Sequence, residues 1–197
     1  MAETNSFQAV CSGCGEKHTL KVVNSVNVKT SPELKEKIVD GELFTWTCPA
    51  CGRTNLSKYP FLYHDPDEKL MLLLTDAPLR SEGLPEGYTG RIVRSVGELI
   101  EKIKIFDSGL DDIVIEMCKF VTIKELKKNV QLRFLKIDGA DSEMTFTYPE
   151  NSQMQMIAVG FNVYEDCAAI VQRNPSVRES VSGLASVDKA WLETFMA

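Results

Sequence analysis

An α+β fold is what this sequence predicts, and three observations predict it. Strand-like and helix-like stretches come in separate runs rather than in βαβ alternation. The hydrophobic period switches from helical spacing around residues 95–126 to strict alternation around residues 144–148. Two short cysteine units, Cys11-Ser12-Gly13-Cys14-Gly15 and Cys48-Pro49-Ala50-Cys51-Gly52, bracket a helix-like insert near the N-terminus. The expected architecture is a zinc-ribbon-like N-terminal region with a helical insert, followed by a helix hairpin and antiparallel β-strands.

The first element that the sequence marks is strand-like, Leu20 to Val28. A helix follows: Ser31-Pro32-Glu33 supplies a cap residue, a proline suited to the first turn and an acid favoured by the macrodipole. Leu34, Ile38 and Val39 share one face, and Gly41 suits the stop. Leu43 to Thr47 and the apolar run Leu70 to Leu74 are further strands. Thr75 to Arg91 holds Pro78, Gly83, Pro85, Gly87 and Gly90, a density of breakers that marks a loop or linker. The domain reading is therefore residues 1–75 as the four-cysteine region, 76–91 as linker, and 92–197 as an α+β region with a helix pair and a β-hairpin.

Beyond the linker, Ser95-Val96-Gly97-Glu98 has the form of a capping box, and its helix carries Leu99, Ile100, Ile103 and Phe106. A second helix is expected from near Ser108 to about Leu126, with Leu110, Val114, Met117, Cys118 and Val121 on its apolar face. So short a turn between helices implies a hairpin. Met144, Phe146 and Tyr148 alternate with Thr145 and Thr147, a strand with one buried face. Val130 to Ile137 is expected to pair with it across Asp138-Gly139, and Met154 to Val159 is another strand. Tyr164 to Gln172 reads as helix. Val187, Ala190, Trp191 and Phe195 form a last apolar stripe that docks on the chain's own core or on a partner.

Composition bounds the function. Of 197 residues, 44% are apolar and 25% charged, enough for a real core. The net charge is −6, and neither half shows the basic footprint of a nucleic-acid binder. The first residues lack the apolar stretch of a signal peptide, and no run approaches the ~20 apolar residues of a membrane span. A cytoplasmic protein is the expectation. Disulfides are rare there, so six cysteines need another explanation.

Two C-x2-C-G units supply it. Two residues between cysteines let both sulfurs reach one ion at ~2.3 Å, and two units give four thiolates that close a tetrahedron. Cys11, Cys14, Cys48 and Cys51 are the expected metal ligands, with Zn2+ as the ion. Iron in a rubredoxin-like centre is the alternative, because ligand type does not separate the two metals. A closed four-thiolate site is structural, and the sequence holds no P-loop, Rossmann, G-x-S-x-G or H-E-x-x-H motif. The expected function is a non-enzymatic module that binds a protein partner.

Three alternatives stay open. An enzyme site near His64 is one, since His64-Asp65 suggests acid–base chemistry, although such a tract is more often a turn. Electron transfer through iron is another. The third is nucleic-acid binding through Lys17, Lys21, Lys29 and Arg53. His18 stands as a substitute ligand. Cys118 and Cys167 read as lone, small core hydrophobes. Asp111, Asp112 and Glu116 read as a solvated helix start, with a second metal site as the rival.

Several blocks in order carry a family resemblance. Cys11-Ser-Gly-Cys14, the run from Ser31 to Phe44, Cys48-Pro-Ala-Cys51-Gly52 and Tyr63-His-Asp-Pro66 resemble the CpXC domain proteins of bacteria and archaea. Arg91-Ile-Val-Arg94, Glu98 to Ile103 and Gly109 to Glu116 fit the same family. The resemblance spans roughly residues 9–130. The family's name implies Cys-Pro-x-Cys twice, and here Ser12 stands where the first proline would. The resemblance implies the metal site and no particular reaction.

Overall fold

The computed structural model describes residues 3–77, 83–139 and 142–196. Pro78, in the expected linker, lies outside these residues, as do positions 140–141 of the expected hairpin turn. The chain divides into two compact units, Met1–Ile100 and Glu101–Ala197. Among the described residues, no helix is long and apolar enough to cross a membrane.

The first unit is built on a twisted sheet. Strands β1 (Glu3–Val10) and β2 (Lys17–Asn27) form an antiparallel hairpin. Helix α1 (Glu33–Val39) follows, and Gly41 at φ 78 turns the chain into a 3-10 turn, Glu42–Phe44. A positive φ of that kind is cheap only for glycine, which is why the sequence shows a stop there. A small hairpin comes next, β3 (Thr45–Thr47) with β4 (Thr54–Leu56). Then β5 (Phe61–Asp65), β6 (Leu70–Leu74) and β7 (Thr89–Val93) extend the sheet, and the strands of this unit run in the order β1-β2-β5-β6-β7.

Two of these pairings, β2 with β5 and β6 with β7, are parallel, where only antiparallel hairpins were expected. Local signals register a hairpin turn but not a crossover. For the same reason β7 emerges from a segment that reads as breakers, and β5 from a tract that reads as a turn. The core lies on one face of this sheet. Phe61, Tyr63, Leu70, Leu72 and Leu74 are buried in alternation, with Ile38 of α1 also buried. Phe44 packs edge-on to Phe61 and against Tyr59, whose hydroxyl donates to Leu43 O.

Helix α2 (Val96–Asp107) carries the chain into the second unit. Its start bears out half of the capping box: Ser95 Oγ accepts from the Glu98 N–H, but Glu98 accepts from the N–H of Arg94, one residue before the cap, rather than from Ser95. Helix α3 is Asp112–Leu126, not a helix from Ser108. The Ser108 N–H still bonds back to Lys104 O, and Gly109 at φ 67 ends α2 while the Leu110 N–H reaches Ile105 O. That glycine closure puts the new start four residues on, where Asp111 caps α3 by accepting from the Ile113 N–H at 2.9 Å.

A three-stranded antiparallel sheet follows in the order β10-β9-β8, with β8 (Arg133–Asp138), β9 (Glu143–Glu150) and β10 (Gln153–Gly160). Helices α4 (Phe161–Arg173), α5 (Pro175–Glu179) and α6 (Lys189–Met196) complete the unit. The expected burial of Met144, Phe146 and Tyr148 is observed. The stripe around Trp191 turns inward only in part: Val187 is buried and Trp191 packs on the same core while its Nε1 donates to Ser180 Oγ, whereas Ala190 and Phe195 are exposed and Leu192 takes the buried place on α6. Truncating Phe146, fully buried and edge-on to Phe134, is expected to cost ~3–5 kcal/mol. Urea unfolding of Phe146→Ala checks this; a loss below ~1 kcal/mol would mean that the site collapses around the gap.

The charged start of α3 corrects the reading of a solvated helix start. Asp112 is only 1% exposed, and Glu116 is buried with it. Lys102 Nζ donates to Asp112 Oδ2 at 2.6 Å and to Val187 O at 2.9 Å. Lys119 donates to Glu116 at 2.7 Å and to Glu101 at 3.2 Å, while Glu101 also accepts from Arg133 and from the Phe134 N–H. Asp111 pairs with Arg178. Each carboxylate is committed to a cation or an N–H, so these three residues do not form a second metal site.

Candidate metal centre

The two cysteine units sit at the tips of two hairpins and have the same local geometry. Six residues, 11–16, join the last pair of the first hairpin, Val10 with Lys17. Six residues, 48–53, join the last pair of the second, Thr47 with Thr54. In the first tip the Cys11 N–H bonds to Glu16 O and the Gly15 N–H to Cys11 O, both at 2.9 Å. In the second the Cys48 N–H bonds to Arg53 O at 2.9 Å and the Gly52 N–H to Cys48 O at 2.8 Å. Gly15 and Gly52 have φ of 76 and 72, the left-handed conformation that favours glycine after the second cysteine of each unit. The spacing is thus a backbone device for turning two thiols toward one point.

The tips face each other. Cys11 Sγ is 3.5 Å from Cys51 Sγ, and Cys14 Sγ is 3.7 Å from Cys48 Sγ. All four sulfurs lie within 4.8 Å of one another. A tetrahedron with ~2.3 Å metal–sulfur bonds has edges of about 3.8 Å; two of the sulfur pairs are close to that and the whole set lies within 4.8 Å, so the four cysteines could hold one four-coordinate ion. Cys11 and Cys48 are buried, and Cys14 and Cys51 are exposed.

Backbone N–H groups already point at the sulfurs. The Gly13 N–H donates to Cys11 Sγ at 3.3 Å. The Cys14 N–H contributes most to holding the Cys11 thiol down at about 6, with Gly13, Cys51 and Asn55 also lowering it against desolvation. Cys14 goes the other way. The Glu16 N–H favours its thiolate, yet desolvation and the three neighbouring sulfurs push it up to about 12.

Two side chains support the centre: Asn55, which the sequence did not mark, and His18, which it offered as a substitute ligand. Asn55 of β4 donates to Cys11 Sγ and accepts from Ser12. His18 Nε2 is 3.4 Å from Cys48 Sγ, and its ring lies edge-on to Trp46. His18 therefore stands beside the four sulfurs, and Glu16, His18 and Cys48 form a second overlapping donor group. Asn55 gives no sequence signal, because its contact with Ser12 depends on how the two hairpins meet.

The remaining candidates fall elsewhere. His64 and Asp65 do not form a pair, since consecutive strand residues point to opposite faces. His64 faces Asn27 Nδ2 and the Tyr88 hydroxyl at 3.5 and 3.2 Å. Asp65 is buried, accepts from the Tyr63 hydroxyl and the Glu68 N–H, and meets Lys35 at 3.7 Å. Cys118 and Cys167 are buried in one core cluster and are not lone thiols. Hydrogen bonding between them raises Cys118 and lowers Cys167 relative to an ordinary thiol, and Cys118 also reaches Val163 O at 3.8 Å. Of the basic residues, Lys17, Lys21 and Arg53 are exposed, and Lys29 is paired with Asp67 at 2.6 Å. A cavity of about 330 Å³ in the second unit is lined by Val121, Thr122, Leu126, Ile157, Val163 and neighbours; His64 and the six cysteines do not line it.

A family model described as CpXC protein matches residues 9–119, more than half of the chain, and takes in both cysteine units. No curated protein and no solved structure matches.

Proposed function

From the premise that this chain belongs to the CpXC protein family, we propose that it is a zinc-binding, non-enzymatic module in which Cys11, Cys14, Cys48 and Cys51 hold one structural Zn2+ ion. The observation that carries the reading is the fit of four sulfurs, on two matching hairpin tips, to the edges of one tetrahedron. Four thiolates leave no open position for water or substrate, which is the mark of structural rather than catalytic zinc. The paired tips make a zinc ribbon, elaborated by α1 and the 3-10 turn between its halves.

A centre of this kind shapes a surface rather than a reaction, and we assign the chain a protein partner. The net charge of −6 supports that over nucleic acid. A cytoplasmic setting keeps the thiols reduced and available to the ion.

Elemental analysis of purified protein tests the metal: one zinc per chain is expected, in a colourless solution. A coloured, iron-loaded preparation would replace zinc with a rubredoxin-like centre. Affinity capture with wild-type and Cys48→Ser protein tests the partner. A protein retained by the first and not by the second is expected; capture of nothing specific, or equal capture by both, counts against the module reading.

A further inference from the structure

We infer that Asn55 is a positioning residue for the four-sulfur centre, locking the first hairpin tip to the second and donating a hydrogen bond to the Cys11 thiolate. The inference rests on the metal-site reading above and adds to it a residue that is not a ligand.

The argument begins with the orientation of the side-chain amide. Asn55 is 6% exposed, so its four hydrogen-bonding positions must find partners inside the protein. The Ser12 N–H, an obligate donor, lies 2.8 Å from Oδ1, and Ser12 Oγ donates to the same oxygen at 2.8 Å. Arg53 O, an obligate acceptor, lies 2.9 Å from Nδ2. A backbone donor on one side and a backbone acceptor on the other allow only one amide orientation. The second N–H of Nδ2 is then left to Cys11 Sγ, 3.6 Å away. Sulfur must accept this bond, and it accepts best as a thiolate.

Three of the four bonds of this one side chain reach parts of the chain more than 40 residues away. Asn55 follows the second cysteine unit in sequence and grips the first. Its Oδ1 holds the backbone at Ser12, between the two ligands Cys11 and Cys14, while Nδ2 fixes its own tip at Arg53. The two tips are thereby held in register by protein contacts alone. Preorganisation of this sort reduces the ordering cost of binding, and an N–H aimed at a ligand sulfur withdraws charge from it.

Serine at position 12 belongs to the same device. Proline there would have no N–H to donate and no hydroxyl, so Asn55 Oδ1 would lose both of its donors. The departure from Cys-Pro-x-Cys in the first unit is matched by a partner in this chain.

Cobalt titration of wild-type and Asn55→Asp protein tests the inference. Aspartate has nearly the same shape and still accepts from Ser12, but it offers no N–H to sulfur. Cobalt is expected to bind Asn55→Asp ~10–100-fold more weakly, the usual loss for an outer-shell partner. Its sulfur-to-cobalt charge-transfer band should move to lower energy, while the tetrahedral d–d bands persist. A loss of packing alone would not move the band. If the variant does not fold, the wild-type protein loaded with cadmium-113 decides: a proton–cadmium coupling carried through the N–H···S bond should connect an Asn55 side-chain proton to the metal. Wild-type affinity and an unshifted band in the variant, or absence of that coupling, overturns the inference. Failure of wild-type protein to take up cobalt in a tetrahedral site would instead overturn the metal reading itself.

Discussion

Chelation of the metal, or Cys48→Ser, is expected to open the two hairpin tips and the β3–β4 hairpin before any other part of the chain. That hairpin has three residue pairs, too few to persist alone in water. Its turn is shaped by bonds from Cys48 and Gly52, and what those bonds present to the first tip is sulfur. Without an ion, what holds the four thiols together among the described residues is weak thiol–thiol contact at 3.5 and 3.7 Å and the contacts of Asn55 and His18. Apparent binding free energies for structural zinc in small peptides are ~10–16 kcal/mol at neutral pH, which is larger than the ~5–15 kcal/mol stability of a typical domain. Losing the ion therefore dominates other single changes in this region. The sheet behind the site has its own core in Phe61, Tyr63, Leu72, Leu74 and Ile38, so opening should proceed from the tips inward. Hydrogen exchange and limited proteolysis measure this: residues 11–16 and 45–56 should lose protection first, and β6 last. A metal-free preparation with unchanged melting temperature and unchanged proteolysis would refute a structural role for the site.

The second large effect is expected in the other unit, from breaking the Lys102–Asp112 pair. Both side chains are almost fully buried, and Lys102 also donates to Val187 O. Asp112→Ala leaves the buried Lys102 ammonium with the Val187 carbonyl but without its carboxylate partner, and removing one partner of such a pair costs ~3–5 kcal/mol. Replacing both partners by apolar residues of similar volume, Lys102→Met with Asp112→Leu, should restore most of that loss, because neither charge then needs a partner. Urea melts of the two singles and the double give the cycle. Near-neutral singles would show that water reaches the pair.

The neighbouring Glu101–Lys119–Glu116 group adds a pH signature. Burial opposes the Lys119 ammonium, yet Glu101 and Glu116 hold it above its ordinary 10.5. A raised lysine contributes stability that is fully present below 10.5 and lost as pH rises through its folded value. Glu116 is raised by burial against the pull of Lys119, so its charge costs stability above the ordinary range of a glutamate. The network should therefore weaken on the alkaline side, read as a falling urea midpoint that Lys119→Met abolishes.

How far the sequence carried depended on the range of each interaction. The α1 stop at Gly41, the Ser95–Glu98 cap, the alternation from Met144 to Tyr148 and the two hairpin tips are set by residues within a few positions of one another. Each was legible, because spacing and backbone preference act locally. The family was legible for a related reason: several local blocks recur in order over residues 9–119.

Elements that needed a distant partner were not legible. β1 has a polar sequence and becomes a strand by pairing with β2. β7 lies at the end of a tract of breakers and is fixed by parallel pairing with β6. The fates of Asp112 and Glu116 turned on which lysines faced them, and that of His64 on the strand that separated it from Asp65.

By itself, then, the sequence determined the four sulfurs, their two turns and the α+β class, since cysteine chemistry and hydrophobic period are written in contiguous residues. The tertiary structure alone decided that the sulfurs meet at tetrahedral spacing, that Asn55 and His18 join them, and that acids at the start of α3 are buried rather than solvated. Those outcomes depend on how hairpins and helices pack across 30 or more positions, and no local pattern encodes the partner a side chain will find there.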